Sequence, residues 1–197
     1  MWNERYAEPG YAYGVEPNDF LVQQVGRLPA GGRVLELCAG EGRNGVWLAA
    51  RGFAVTSVDG SAVGLAKASA LAAERKTALR TVVSDLAAYD VAAEPWDVIV
   101  SIFAHLPPPL RQRVHAAAVQ ALTPGGIFLL EAYTPAQVAR GTGGPRDPQL
   151  CMTLAGLRHE LDGLSFLHGA ELEREIHEGA HHHGTSSVVQ VVAQKLS

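Results

Sequence analysis

Between residues 33 and 133 short apolar runs alternate with helical stretches, and this alternation restricts the possible folds more than any other feature. The apolar runs fall at 33–37, 53–58, 79–84, 96–103 and 127–133. They are short and rich in Val, Ile and Leu, as buried strands are. Helical stretches separate several of them, at 43–51, 61–76 and 108–122, with Ser61 as a helix cap. Strands connected through helices run parallel, and a parallel sheet is covered on both faces. The pattern predicts an α/β fold with a doubly wound, mostly parallel sheet. After residue 133 the pattern changes. A loop at 134–150 and a helix at 153–161 precede two strands, 165–177 and 185–195, joined by a turn near 179–184. A close turn makes that pair antiparallel. Seven strands ending in an antiparallel hairpin are therefore expected.

The 197 residues suffice for one domain, expected over 1–197. Its subdivisions are an arm at 1–16 and a loop and helix at 134–160. The arm carries Trp2, Tyr6, Tyr11 and Tyr13, which argues for an ordered segment, and Pro17 and Asn18 then open a helix. A net charge of −4 supplies no dense cationic surface, which disfavours nucleic acid and anionic membranes as partners. The expected partner is a small molecule, with the chain a monomer or homodimer. Two cysteines and an N-terminus without a cationic or apolar leader pattern point to the cytoplasm, and no run is long enough for a membrane span.

The first strand leads into Glu36-Leu37-Cys38-Ala39-Gly40-Glu41-Gly42-Arg43-Asn44. In open α/β sheets ligands bind beyond the carboxyl ends of the strands. The dinucleotide fingerprint Gly-x-Gly-x-x-Gly fails here, because Cys38 and Arg43 stand where two of its glycines belong. Glu41 would also repel a pyrophosphate at the helix start. A Walker loop lacks its Gly-Lys-Ser/Thr, and no Gly-x-Ser-x-Gly elbow occurs. Asp59 ends the second strand and Asp85 the third. Turn chemistry alone selects Gly and Asp, but joint placement at three successive strand ends points to a ligand edge.

This segment resembles motif I of class I S-adenosylmethionine-dependent methyltransferases, with Cys38 replacing the first glycine. Leu122-Thr123-Pro124-Gly125-Gly126 is similar to that family's turn before the fifth strand. The resemblance spans roughly 17–135 and implies a Rossmann-like fold. It implies S-adenosylmethionine as cofactor, with S-adenosylhomocysteine as product. The implied cofactor residues are Glu36, Cys38, Ala39, Gly40, Gly42, Arg43, Asn44, Asp59, Gly60, Asp85, Leu86, Ile102 and Tyr13. Asp59 would hold the ribose hydroxyls and Asp85 the adenine amino group. The segment 11–18 and the Arg43-Asn44 pair look like bacterial methyltransferases of the tellurite-resistance and thiopurine type. That likeness implies a small acceptor, a thiol or chalcogen oxyanion. The alternative is a non-catalytic cofactor-binding regulatory module.

His105, after the fourth strand, is one catalytic candidate, read either as an acceptor-orienting or proton-accepting group or as a packed loop residue. His177 at the end of the sixth strand is the other. His181, His182 and His183 read as a solvated turn, and no metal is expected. Tyr6, Tyr13 or Trp2 would close over the cofactor as a lid, or else, above all for Trp2, only pack against the first helix. Glu131, Tyr133 and the loop after them would line the acceptor pocket.

Overall fold

The computed structural model describes residues 2–179 and 182–196. Its strands are β1 Arg33–Leu37, β2 Ala54–Asp59, β3 Arg80–Val83, β4 Trp96–Ile102, β5 Leu122–Tyr133, β6 Leu164–Glu178 and β7 His182–Lys195. The α-helices are α1 Trp2–Tyr6, α2 Asp19–Gln24, α3 Arg43–Ala49, α4 Ala62–Glu74, α5 Pro108–Ala121 and α6 Leu154–Glu160. One sheet runs in the order β3-β2-β1-β4-β5-β7-β6. The first five of these are parallel, and β7 is antiparallel to both β5 and β6. This is the doubly wound sheet with a terminal hairpin that the sequence pattern predicts. The order reverses between β1 and β4, which opens a crevice at their carboxyl ends.

Alternation along each strand divides the core into two layers. Leu35, Leu37, Ile99, Phe128 and Leu130 face one side, where α5 and α6 cover them through Val114, Ala118 and Leu157. Val34, Val98, Val100, Ile127 and Leu129 face the other, under Phe20, Leu21, Leu48 and Ala49 of α2 and α3. Ser61 caps α4 by accepting from Gly64 N–H at 3.1 Å. The arm contains the one-turn α1, whose period the sequence does not reveal. β4 stops at Ile102 instead of 103, because Phe103 takes φ 52°. β7 begins at His182, three residues before the expected start. No described helix is long and apolar enough to cross a membrane.

A buried polar network fastens the hairpin to the parallel part. Glu131 on β5 is fully buried. It accepts from Arg174 Nε and Nη2 of β6 at 2.8 and 2.7 Å, from Gln190 Nε2 of β7 at 2.7 Å and from Asn18 Nδ2 at 2.6 Å. Asn18 also donates to Glu178 Oε1 at 3.0 Å, and its own Oδ1 caps α2 by accepting from Leu21 N–H at 3.1 Å. Its backbone N–H reaches Asn44 Oδ1 of α3 at 2.9 Å. Removing one partner from such a cluster strands the others without water. Glu131→Ala should therefore lower the unfolding free energy by about 3–5 kcal/mol. Urea unfolding checks this, and a loss near zero contradicts it.

Candidate cofactor and acceptor site

The carboxyl ends of β1, β2 and β3 share one edge. After Leu37 the chain turns through Cys38, at φ 54°, and Gly40 before Gly42 opens α3. Gly42 has φ 85°, and a Cβ on it would lie 2.5 Å from the Ala68 Cβ, so a glycine is required there. Asp59, at the end of β2, is 8% exposed. Its Oδ2 accepts from Gly40 N–H at 2.8 Å and its Oδ1 from Ser61 N–H at 2.7 Å. The carboxylate thus ties the turn after β1 to the turn after β2. Burial pushes its pKa up against these two bonds. An ionised carboxylate has about four acceptor directions, so two remain for a ligand. Asp85 beyond β3 is exposed, and its Oδ1 accepts from Ala87 N–H at 2.7 Å. Leu86, Ile102 and Ala39 are buried, while Gly60 is exposed. Burial, then the charges of Asp59 and Asp85, push the Cys38 thiol up to about 12. Cys38 is therefore a small neutral side chain facing both acids, and no nucleophile.

Glu36 sits beneath the turn. It is 2% exposed and accepts from Ser57 Oγ at 2.6 Å and from the Gly45 backbone. The fit under α3 is so close that a Cβ on Gly45 would overlap the Glu36 carboxylate. Asn44 faces the chain as well, through its bond to Asn18. Arg43 is different. Its Nη2 pairs with Glu178 Oε2 at 2.7 Å, but its buried Nη1 has no partner.

The arm closes over this edge. The Tyr6 ring is buried against Gly40 and Gly64, with its hydroxyl 2.7 Å from where a Gly40 Cβ would stand. Burial and the charge of Asp59 push that hydroxyl well above its ordinary pKa. Tyr13 accepts from Arg5 Nη1 at 2.8 Å and its ring lies 4.6 Å from that of His182. Trp2 stacks on Tyr6 at 5.7 Å but stays half exposed. Lys67 of α4 latches the arm by donating to Glu8 O at 2.8 Å, Gly10 O at 2.6 Å and Glu41 Oε1 at 2.8 Å. Glu41 in turn accepts from Ala12 N–H at 2.7 Å.

Beyond the carboxyl ends of β4 and β5, Phe103 stacks on Tyr133 at 4.6 Å, and the His182 ring meets them edge-on at 4.9 and 5.4 Å. His105 is half-buried behind Tyr133. Its Nδ1–H donates to Leu150 O at 2.9 Å and its Nε2 accepts from Tyr133 N–H at 3.4 Å. Burial lowers its pKa to about 4, so the ring is neutral near pH 7 with both nitrogens engaged. It holds the end of β5 to the loop at Leu150. His177 lies on the exposed face of β6, 6.1 Å from the His183 ring and on the opposite face from Glu178. The solvated-turn expectation fails for His182, which is 7% exposed and has Nδ1 3.3 Å from Glu178 Oε2. His181 lies outside the described residues. The missed signal is period two: Leu172 and Ile176 are apolar where Glu171, Glu173, Glu175 and His177 are polar, which turns Glu178 inward. Pairing of Glu178 with His182 puts that histidine on the same face.

Burial raises the Glu36 pKa to about 7. The folded chain then keeps a proton that an unfolded chain, with Glu near 4.5, has released. Stability from this group is full below pH 4.5 and falls as pH rises toward 7. Glu36→Gln removes that loss, so urea unfolding should show the variant gaining on the wild type between pH 5 and pH 8. A constant difference across that range contradicts a protonated, buried Glu36.

Residues 34–126 match the family model described as a methyltransferase domain. No curated protein sequence matches the chain. Among solved structures, one is of a protein described for the conversion of a disulfide bond into a thioacetal group during echinomycin biosynthesis. It aligns with TM-score 0.76 at 18% identity, over 96% of this chain and 85% of that one. TehB from Haemophilus influenzae aligns with TM-score 0.72 at 21% identity, over 90% of this chain and 61% of that one. The N-methyltransferase NodS from Bradyrhizobium japonicum WM9, in complex with S-adenosylhomocysteine, aligns with TM-score 0.71 at 14% identity, over 100% and 97%. Residues 34–126 thus resemble a methyltransferase domain, and the chain shares the fold of these solved structures.

Proposed function

We propose that this protein transfers a methyl group from S-adenosylmethionine to a small soft nucleophile, a thiol or a chalcogen oxyanion. The observation that carries the reading is Asp59, a buried carboxylate that joins two strand-end turns and keeps acceptor capacity for a pair of hydroxyls. Gly40 and Gly42 bring backbone close to the ligand, Cys38 and Ala39 add small walls, and Asp85, with Leu86 beside it, receives the adenine end. Arg43 Nη1, buried and unpartnered, fits the carboxylate at the other end of the cofactor. The bound cofactor supplies a methyl carbon already activated by its sulfonium.

What remains for the protein is to align, to exclude water and to hold the acceptor. The arm does the second through Tyr6 and Tyr13, locked by Lys67. His105 acts as a positioning residue, because its lone pair is taken by Tyr133 N–H. An acceptor that is already nucleophilic fits a site in which this candidate base is committed. The likeness to the protein of thioacetal formation, which acts on sulfur, supports the same class.

The test is release of S-adenosylhomocysteine against a panel of thiols, selenite, tellurite and amines. Turnover with a thiol or a chalcogen oxyanion is expected. Tight binding of S-adenosylhomocysteine with no turnover on any acceptor would instead favour a regulatory module.

A further inference from the structure

The hydroxyl of Tyr133 is the acceptor-side group whose chemistry the fold leaves unfinished. Tyr133 is 0% exposed, yet its Oη has no hydrogen-bond partner. The ring is fixed on two sides. Phe103 stacks on one face, and Gly144 packs so closely on the ring that a Cβ there would come 2.6 Å from it. Fixed this way, the phenol cannot swing out to water. Neighbouring acceptors are taken. Glu178 already receives Arg43, Asn18 and His182, and Glu131 receives Arg174, Asn18 and Gln190. A buried donor left unpaired costs about 1–3 kcal/mol, and a ligand that completes it recovers that cost.

We infer that the Tyr133 hydroxyl donates a hydrogen bond to the methyl acceptor and so selects acceptors that offer a lone pair, thiolates and oxyanions, over ammonium groups. The inference rests on the acceptor-site reading above and names its selecting group. Burial and the charges of Glu178 and Glu131 push the phenol well above its ordinary pKa, so it stays a donor through the neutral range. A thiolate or an oxyanion accepts that bond. An ammonium presents only N–H donors, so the phenol stays unpaired and the penalty remains.

Tyr133→Phe removes the hydroxyl and keeps the ring that packs on Phe103 and Gly144. Calorimetry first measures S-adenosylhomocysteine binding to wild type and variant; equal affinities show that the cofactor half is intact. Selenite and thiophenol are then titrated into each S-adenosylhomocysteine complex, with methylammonium as the cationic control. The wild type should bind selenite and thiophenolate above methylammonium, and the variant should lose about 10–100-fold for both, the worth of one charge-assisted hydrogen bond. For any acceptor turned over, kcat/KM should fall by a similar factor, and a base role for the phenol would add a new pH dependence that this account excludes. Equal probe affinities in the two proteins overturn the inference, as does wild-type preference for methylammonium or failure to bind either anionic probe. Tyr133-dependent binding without any turnover would sink the methyltransfer reading and leave this one standing.

Discussion

Both carboxylate oxygens of Glu131 must be satisfied in a place without water, and that requirement organises the molecule. Four donors from β6, β7 and the start of α2 converge on its two oxygens. Asn18 extends the cluster to Glu178 and to Asn44 on α3. The same side chains therefore fix the antiparallel hairpin, the first long-range helix and the helix that leaves the glycine turn. Because such a cluster tolerates no missing member, it sets register more strictly than apolar packing does. The arm then has one place to go, across the turn, where Lys67 and Glu41 hold it.

The site at the strand ends follows from what this edge lacks as much as from what it has. A phosphate needs a helix start free of acid. Here Glu41, Asp59 and Asp85 stand around the turn, and Glu36 lies beneath it, neutral over much of its range. A cationic sulfonium and a ribose are tolerated by that set, whereas a pyrophosphate is not. Arg43 Nη1, buried and without a partner, is a cationic donor suited to a lone carboxylate.

Much of this was readable from sequence, and the failures have a physical cause. The central parallel strands β1, β4 and β5 announce themselves because both faces are buried and their apolar runs are nearly continuous, whereas β3 at the sheet edge is only partly buried. Gly42 and Asp59 are visible because a strained turn admits few residue types. The hairpin is harder. Its faces alternate, so one residue of misjudged phase moves His177 to solvent and brings Glu178 and His182 inside. Glu36 illustrates another limit: a carboxylate in a ligand motif and one that braces a helix look alike until Ser57 and Gly45 are seen around it. His105 reads as a base by type, but its two neighbours, Leu150 O and Tyr133 N–H, come from segments far along the chain.

The central claim is that this edge receives S-adenosylmethionine through Asp59. Calorimetry of S-adenosylhomocysteine and NAD with the wild type and with Asp59→Ala addresses it directly. The account predicts binding of S-adenosylhomocysteine by the wild type, loss of at least about tenfold in the variant, as expected for hydrogen bonds to a charged group, and no measurable NAD affinity in either. Tight NAD binding without S-adenosylhomocysteine binding, or undiminished affinity in Asp59→Ala, would contradict it.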